Sequence, residues 1–157
     1  MSEGKRPGGL TALAVLNFVF SAFGGLQTLG HALIVVIVVT DKLPPGADEE
    51  MQRAFEMFRE LGIGTLATVA ALGVVTVGLQ ITSGVGYLLQ KRVLGRWLGN
   101  LYALTSIGHS VFMTMQLRAE GAAESAGGFE LITLVLIIYP VLTLILINTT
   151  FREDLTR

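Results

Sequence analysis

The chain has 157 residues, room for one domain and little else. Apolar residues make up 52% of it and charged residues 15%, where soluble domains carry about 25% charged. A net charge of −1 gives no reason to expect a nucleic-acid partner, and the absence of cysteine excludes disulfides, thiol catalysis, cysteine metal sites and palmitoylation.

Four runs lack Asp, Glu, Lys and Arg: residues 7–40, 61–90, 97–117 and 131–151, the shortest being 21 residues long. A helix crosses the hydrocarbon core with about 20 apolar residues. Backbone amides in lipid must pair within the segment, so runs of this length are helices. The expected fold is all-α, a four-helix transmembrane bundle that is a single integral membrane domain over residues 1–157. Its spans lie at approximately 10–40, 61–90, 94–117 and 129–151.

Lys5 and Arg6 give the first run a positive start. Its apolar stretch, Leu10 to Thr40, far exceeds the roughly 7–15 residues of a signal-peptide core, so it reads as a retained span. Pro44-Pro45-Gly46 then ends the helix in a turn. Asp48 is placed to cap a new helix, with Glu49 and Glu50 favourable in its first turn. Met51, Ala54, Phe55 and Phe58 share one face, and Glu49, Gln52, Arg53, Glu56 and Glu60 the other. This predicts a short amphipathic exterior helix between spans one and two. It either lies at the outer interface, extends the second span, or forms a lid or docking surface.

The second and third spans are joined by a basic turn at 90–96, where Tyr87 and Trp97 are expected to anchor span ends at headgroup level. The second exterior loop, Arg118–Gly128, is small, rich in Gly, Ala and Ser, and expected to be mobile. Glu130 marks the outer edge of the fourth span, and Pro140 predicts a kink near Leu136–Pro140. The carbonyl freed by Pro140 and the Tyr139 hydroxyl then need partners inside the protein.

Charge sets the expected orientation. Lys5, Arg6, Lys91, Arg92, Arg96, Arg152 and Arg157 fall on one side, against Lys42, Arg53, Arg59 and Arg118 on the other. Glu3, Glu153 and Asp154 share the first side, while nine acidic residues lie opposite. The positive-inside rule predicts a multi-pass protein of the cell inner (cytoplasmic) membrane with both termini cytoplasmic.

Polar and small residues recur at spacings of three and four. The seams are Asn17, Ser21, Gly24, Thr28 and His31; Gly73, Thr76, Gln80, Ser83 and Tyr87; Gly95, Gly99, Tyr102, Ser106, His109, Met113 and Gln116; and Thr133, Pro140 and Thr143. Such faces pack inward, where hydroxyl and amide side chains bond across helices. Gly95-x-x-x-Gly99 fits close packing within the chain or dimerisation.

The two histidines stand apart, because both lie inside charge-free runs. Their contexts match: Leu29-Gly30-His31-Ala32-Leu33 and Ile107-Gly108-His109-Ser110-Val111. Each lies ~14 Å below its exterior charge at 1.5 Å per residue, which suggests that spans one and three are counterparts in a two-plus-two duplication. Three readings fit the pair. Neutral imidazoles can bond to Ser, Thr, Tyr139 or the carbonyl freed by Pro140. Protonatable gates can couple to a proton or solute. A bis-His site can hold haem, with His31 and His109 as ligands. A lone metal ion fits worse, having only two ligands.

The stretch Ser83-Gly84-Val85-Gly86-Tyr87-Leu88-Leu89-Gln90-Lys91-Arg92, with Gly95-Arg96-Trp97-Leu98, resembles the central turn of small, uncharacterised four-span bacterial membrane proteins. Arg6-Pro7-Gly8-Gly9-Leu10-Thr11-Ala12 is similar to their starts. The resemblance implies a four-helix fold and carries no catalytic residues.

No nucleophile–base set, carboxylate pair or phosphate-cradling loop is visible, and no enzymatic activity or cofactor is expected. The leading expectation is a structural, accessory or partner-binding membrane protein in the lipid bilayer, packing with itself or with a membrane-protein partner. The alternative is a proton- or small-solute-coupled transport element using His31 and His109, and a third is a haem-binding electron carrier. The candidate polar core is His31, His109, Gln80, Asn17 and Tyr139.

Overall fold

The computed structural model describes residues 8–43, 45–119 and 129–155. Lys5, Arg6, Pro44, Arg157, residues 120–128 of the segment expected to form the second exterior loop, and the side chains of Arg118, Glu130 and Thr133 lie outside the described residues. The described residues form no strand. They build α1 (Gly8–Thr40), α2 (Glu49–Leu61), α3 (Ile63–Leu88), a π-helical segment (Arg92–Trp97), α4 (Leu98–Ala119) and α5 (Phe129–Asn148). Two of these helices, α1 and α3, are long and apolar enough to cross a membrane.

Helix α2 starts where its cap predicts. The Met51 amide donates to Asp48 Oδ1 at 2.8 Å, and Glu49 and Glu50 occupy the positive first turn. Gly62 ends it with φ +79°, a conformation that only glycine adopts without strain, and the Gly62 amide returns to the Arg59 carbonyl. Helix α2 is therefore separate from α3 and not its extension. It buries no residue, and Arg59 pairs with Asp41 at the end of α1 (3.4 Å).

Neighbouring long helices run antiparallel, as the partners across each seam establish. Asn17 meets Ser83 and Gly84, Gly24 meets Val77, and Thr28 meets Gly73, so α3 descends as α1 rises. Gly99 faces Tyr87 while Gln116 bonds to Thr65 (3.4 Å), which orients α4 against α3. Asn100 bonds to Asn148 (3.3 Å), and Gly9 meets Phe151, which brings the end of α5 to the start of both α4 and α1. The apolar core gathers at this end: Leu10, Leu13, Ala14, Tyr87, Tyr102, Ala103, Tyr139, Ile147 and Leu155.

The turn between α3 and α4 is the tightest part of the molecule. Gln90 sits in the left-handed region (φ 51°), the Lys91 amide donates to the Gly86 carbonyl (3.0 Å), and the Gln90 amide donates to Tyr87 (3.3 Å). This pair of bonds is a Schellman ending, with glutamine where glycine is usual. The π-helical winding then carries Gly95 against Gly86 so closely that a Cβ on Gly86 would lie 2.2 Å from the Gly95 nitrogen. Gly95 and Gly99 thus serve packing within the chain: the first meets Leu155, the second Tyr87 and Ile147. Tyr87 is wholly buried here and is not the interface anchor its position suggests, whereas Trp97 is exposed.

Two substitutions test this turn, and a third, in α1, serves as their control. Gly86→Ala should prevent folding or destabilise it by more than the 1–3 kcal/mol usual for overpacking, since the clash is with backbone. Gly25→Ala meets nothing within 4 Å and should be neutral or stabilising. Gln90→Gly should stabilise by about 1 kcal/mol by relieving the left-handed residue. Unfolding in mild detergent, followed by circular dichroism, measures all three.

Candidate functional site

Asn17, Gln80, Tyr102 and Tyr139 come from four different helices and meet in one buried network. Each is placed by the three-and-four spacing of its own helix. Asn17 Nδ2 donates to Ser83 Oγ (2.9 Å) and to the Gln80 carbonyl (3.1 Å). The Tyr139 hydroxyl donates to Asn17 Oδ1, with the Leu13 carbonyl also near at 3.4 Å. Gln80 Nε2 donates to the Tyr102 hydroxyl (3.0 Å). Asn17 is wholly buried and Gln80 only 4% exposed, so these bonds are made away from water. Phe20 packs on the Tyr139 ring, their centroids 4.5 Å apart.

Above this floor the four helices enclose a cavity of about 200 Å³. Helix α1 contributes Phe20, Phe23, Gln27 and His31; α3, Thr76 and Gln80; α4, Tyr102, Ser106 and His109; α5, Leu136, Tyr139 and Pro140. The structure therefore brings His31, His109, Gln80 and Tyr139 to one cavity, with Asn17 in the floor beneath. Both histidines are half-buried. Helix α5 continues through Pro140, which lies wholly buried in the cavity wall.

The polar atoms of floor and cavity differ. In the floor Asn17, Ser83, Gln80, Tyr102 and Tyr139 bond to one another, although the neighbouring hydroxyls of Tyr87 and Thr143 are buried without a partner. In the cavity His31 Nδ1, Thr76 Oγ1 and His109 Nε2 are buried without any hydrogen-bond partner. Neither imidazole reaches the hydroxyls expected for a packing role, and the Tyr139 hydroxyl is committed to Asn17. A buried polar atom left unpaired costs about 1–3 kcal/mol, and here three such atoms come from three helices.

The arrangement suits reversible hydrogen bonding to a small molecule and shows no catalytic set. Among the described residues no group of three or more His, Cys, Asp or Glu could hold a metal. For haem the two histidines do share a cavity, but about 200 Å³ is closer to the 150 Å³ that holds benzene than to the roughly 300–1,000 Å³ of larger ligand pockets. A macrocycle is too big for it.

The sequence seams already contained Thr76, Ser83, Tyr102 and Ser106, but nothing in their spacing separated floor from cavity. Asn100 and Asn148 escaped the seams. They bond to each other, Arg96 joins at Asn148 Oδ1 (3.3 Å), and together they clamp α4 to α5. An asparagine inside each of two apolar runs was the available signal. Phe20, Phe23 and Gln27 also line the cavity, on an edge of α1 adjoining its polar seam.

Comparisons with family models, curated proteins and solved structures gave no match.

Removing a floor residue and removing a cavity residue should differ in sign. Asn17→Leu leaves the Tyr139 hydroxyl only its long contact to the Leu13 carbonyl and the Gln80 carbonyl only the Ser83 hydroxyl, and should cost on the order of 1–3 kcal/mol. His31→Leu and His109→Leu remove unpaired atoms and should leave stability unchanged or raise it. Detergent unfolding of the three variants, side by side, gives the comparison.

Proposed function

We propose that the chain is a four-span, non-enzymatic protein of the inner membrane, both termini cytoplasmic, whose function is to bind a small molecule in its intramembrane cavity. The observation that carries this reading is the trio of buried, unpaired polar atoms on His31, Thr76 and His109 around one cavity. The Tyr87 and Thr143 hydroxyls are also buried without a partner, but they stand apart in packed regions, and the trio is distinguished by sharing one cavity.

Several features support four spans. Helix α4, of 22 residues, and α5, of 20, are each long enough for a hydrocarbon core of about 30 Å. Large apolar side chains face outward on all four long helices, among them Leu26 and Leu33, Val74 and Ile81, Leu104 and Met115, Leu142 and Ile145. Helix α4 is the most polar of the four, and its Tyr102, Ser106 and His109 line the cavity. For orientation, Arg92, Arg96 and Arg152 line one surface pocket at the end where Leu155 packs on Gly95. A cluster of this kind belongs in the cytoplasm.

The accessory role expected from sequence becomes more specific here: the protein holds or presents a ligand, alone or beside a membrane-protein partner. A proton- or solute-coupled role would use the same histidines. The floor of Asn17, Ser83, Gln80, Tyr102 and Tyr139 lies between that cavity and the basic end, and transport would need it to open.

Because the chain has no cysteine, single introduced cysteines report topology cleanly. Gln52→Cys in α2 should react with an impermeant maleimide from outside intact cells, and Val93→Cys in the basic turn should react only after the membrane is opened. The reverse pattern would overturn the orientation.

A further inference from the structure

The cavity residues that are exposed all lie on α1 and α5: Phe23 (66% exposed), Gln27 and Leu136 (38%). Those contributed by α3 and α4 are buried or half-buried. The cavity thus opens sideways, between α1 and α5. Phe23 is near the middle of α1 and Leu136 near the middle of α5. If these helices cross the bilayer, the mouth faces acyl chains at mid-depth and not water. Helices α1 and α5 meet at Tyr139, which bonds to Asn17 and packs on Phe20, at the floor of this opening.

The interior has the size and chemistry of a single ring. Its volume of about 200 Å³ slightly exceeds the 150 Å³ that accepts benzene. Phe20, Phe23, Tyr102 and Tyr139 supply aromatic surface, which favours a flat ring over a branched head. His31, His109 and Thr76, from three helices of the lining, each carry a buried polar atom without a partner (Nδ1, Nε2 and Oγ1), and Thr76 is itself 9% exposed. Thr76 can donate or accept, and each imidazole nitrogen can do either according to its tautomer. Leu136, whose carbonyl Pro140 cannot supply with an amide hydrogen, belongs to the same wall. Among the described residues no carboxylate, lysine or arginine lines the cavity, which suits an uncharged head.

From this geometry we infer that the ligand is an uncharged, oxygen-bearing single-ring amphiphile of the quinone or quinol type, which enters from the bilayer between α1 and α5. Its ring lies between His31 and His109, and its apolar tail leaves past Phe23 and Leu136 into lipid. This rests on the binding role proposed above and adds the ligand's class and route.

The test uses the full chain in lipid nanodiscs, with a fully substituted benzoquinone carrying a decyl tail, the same ring without the tail, and decanol. Thermal unfolding and equilibrium binding are read for the wild type, Thr76→Val, and the His31→Leu/His109→Leu double variant. The tailed ring should raise the unfolding temperature and bind best, and the double histidine variant should bind it roughly a hundred-fold more weakly. Thr76→Val, close in shape, should weaken it without affecting the unliganded fold. In a Phe23→Cys variant the tailed ring should slow reaction with a lipid-soluble maleimide. If the tail-less ring binds as well as the tailed one and histidine substitution weakens both, the cavity is a ligand site filled from water, and the lateral route is overturned while the binding role stands. If neither ring binds, or binding is unaffected by the histidine and threonine variants, both the ligand class and the binding role at this cavity are overturned. Equal binding of decanol would replace the ring with a simple aliphatic alcohol.

Discussion

The side-chain amide of Asn17 is the joint on which the long helices depend. Its nitrogen reaches Ser83 and the Gln80 backbone on α3, and its oxygen takes the Tyr139 hydroxyl from α5. Gln80 passes the connection on to Tyr102 of α4. In an apolar surrounding such bonds have no competition from water, and the alternative to making them is a stranded dipole. Hydrophobic burial alone gives helices that are apolar all round little reason to prefer one neighbour. The amide specifies both neighbour and height, and small residues along α1 and α3 then bring the backbones together.

The floor also explains why a cavity can exist above it. Four helices joined at one level, and clamped again below by Asn100 and Asn148, need not pack tightly throughout. The α1–α3 seam stays close upward, at Gly24 with Val77 and Thr28 with Gly73. Helix α5 is held through Tyr139 and through α4, so the space opens on its side. Closely packed seams and a ligand-sized gap thus coexist within one small fold.

Much of this was legible in the sequence. The charge-free runs gave the helices, because uninterrupted apolar stretches of that length leave the backbone one way to satisfy itself. The cap at Asp48 and the amphipathic pattern after it gave α2. The five candidate residues do gather, with His31, His109, Gln80 and Tyr139 around a cavity and Asn17 directly beneath. Local spacing could not show that Asn17 would be saturated while the histidines stay unpaired. That difference depends on what the other three helices present at each height. Tyr87 misled for the same reason: its position beside a basic turn suggests a headgroup anchor, but the close approach of Gly86 to Gly95 and of Tyr87 to Gly99 draws it inside.

The π-helical segment, six residues of wider winding at Arg92–Trp97, leads directly into the 22 residues of α4. A π turn accommodates an extra residue, and in an α-helix one residue corresponds to about 100° of rotation. The angular phase of α4 is therefore fixed at its N-terminal root and not along its length. Tyr102, Ser106 and His109 point inward because the chain is overfilled at 92–97. Rewinding that root would rotate the same three residues together out of the cavity, with no change to any of them.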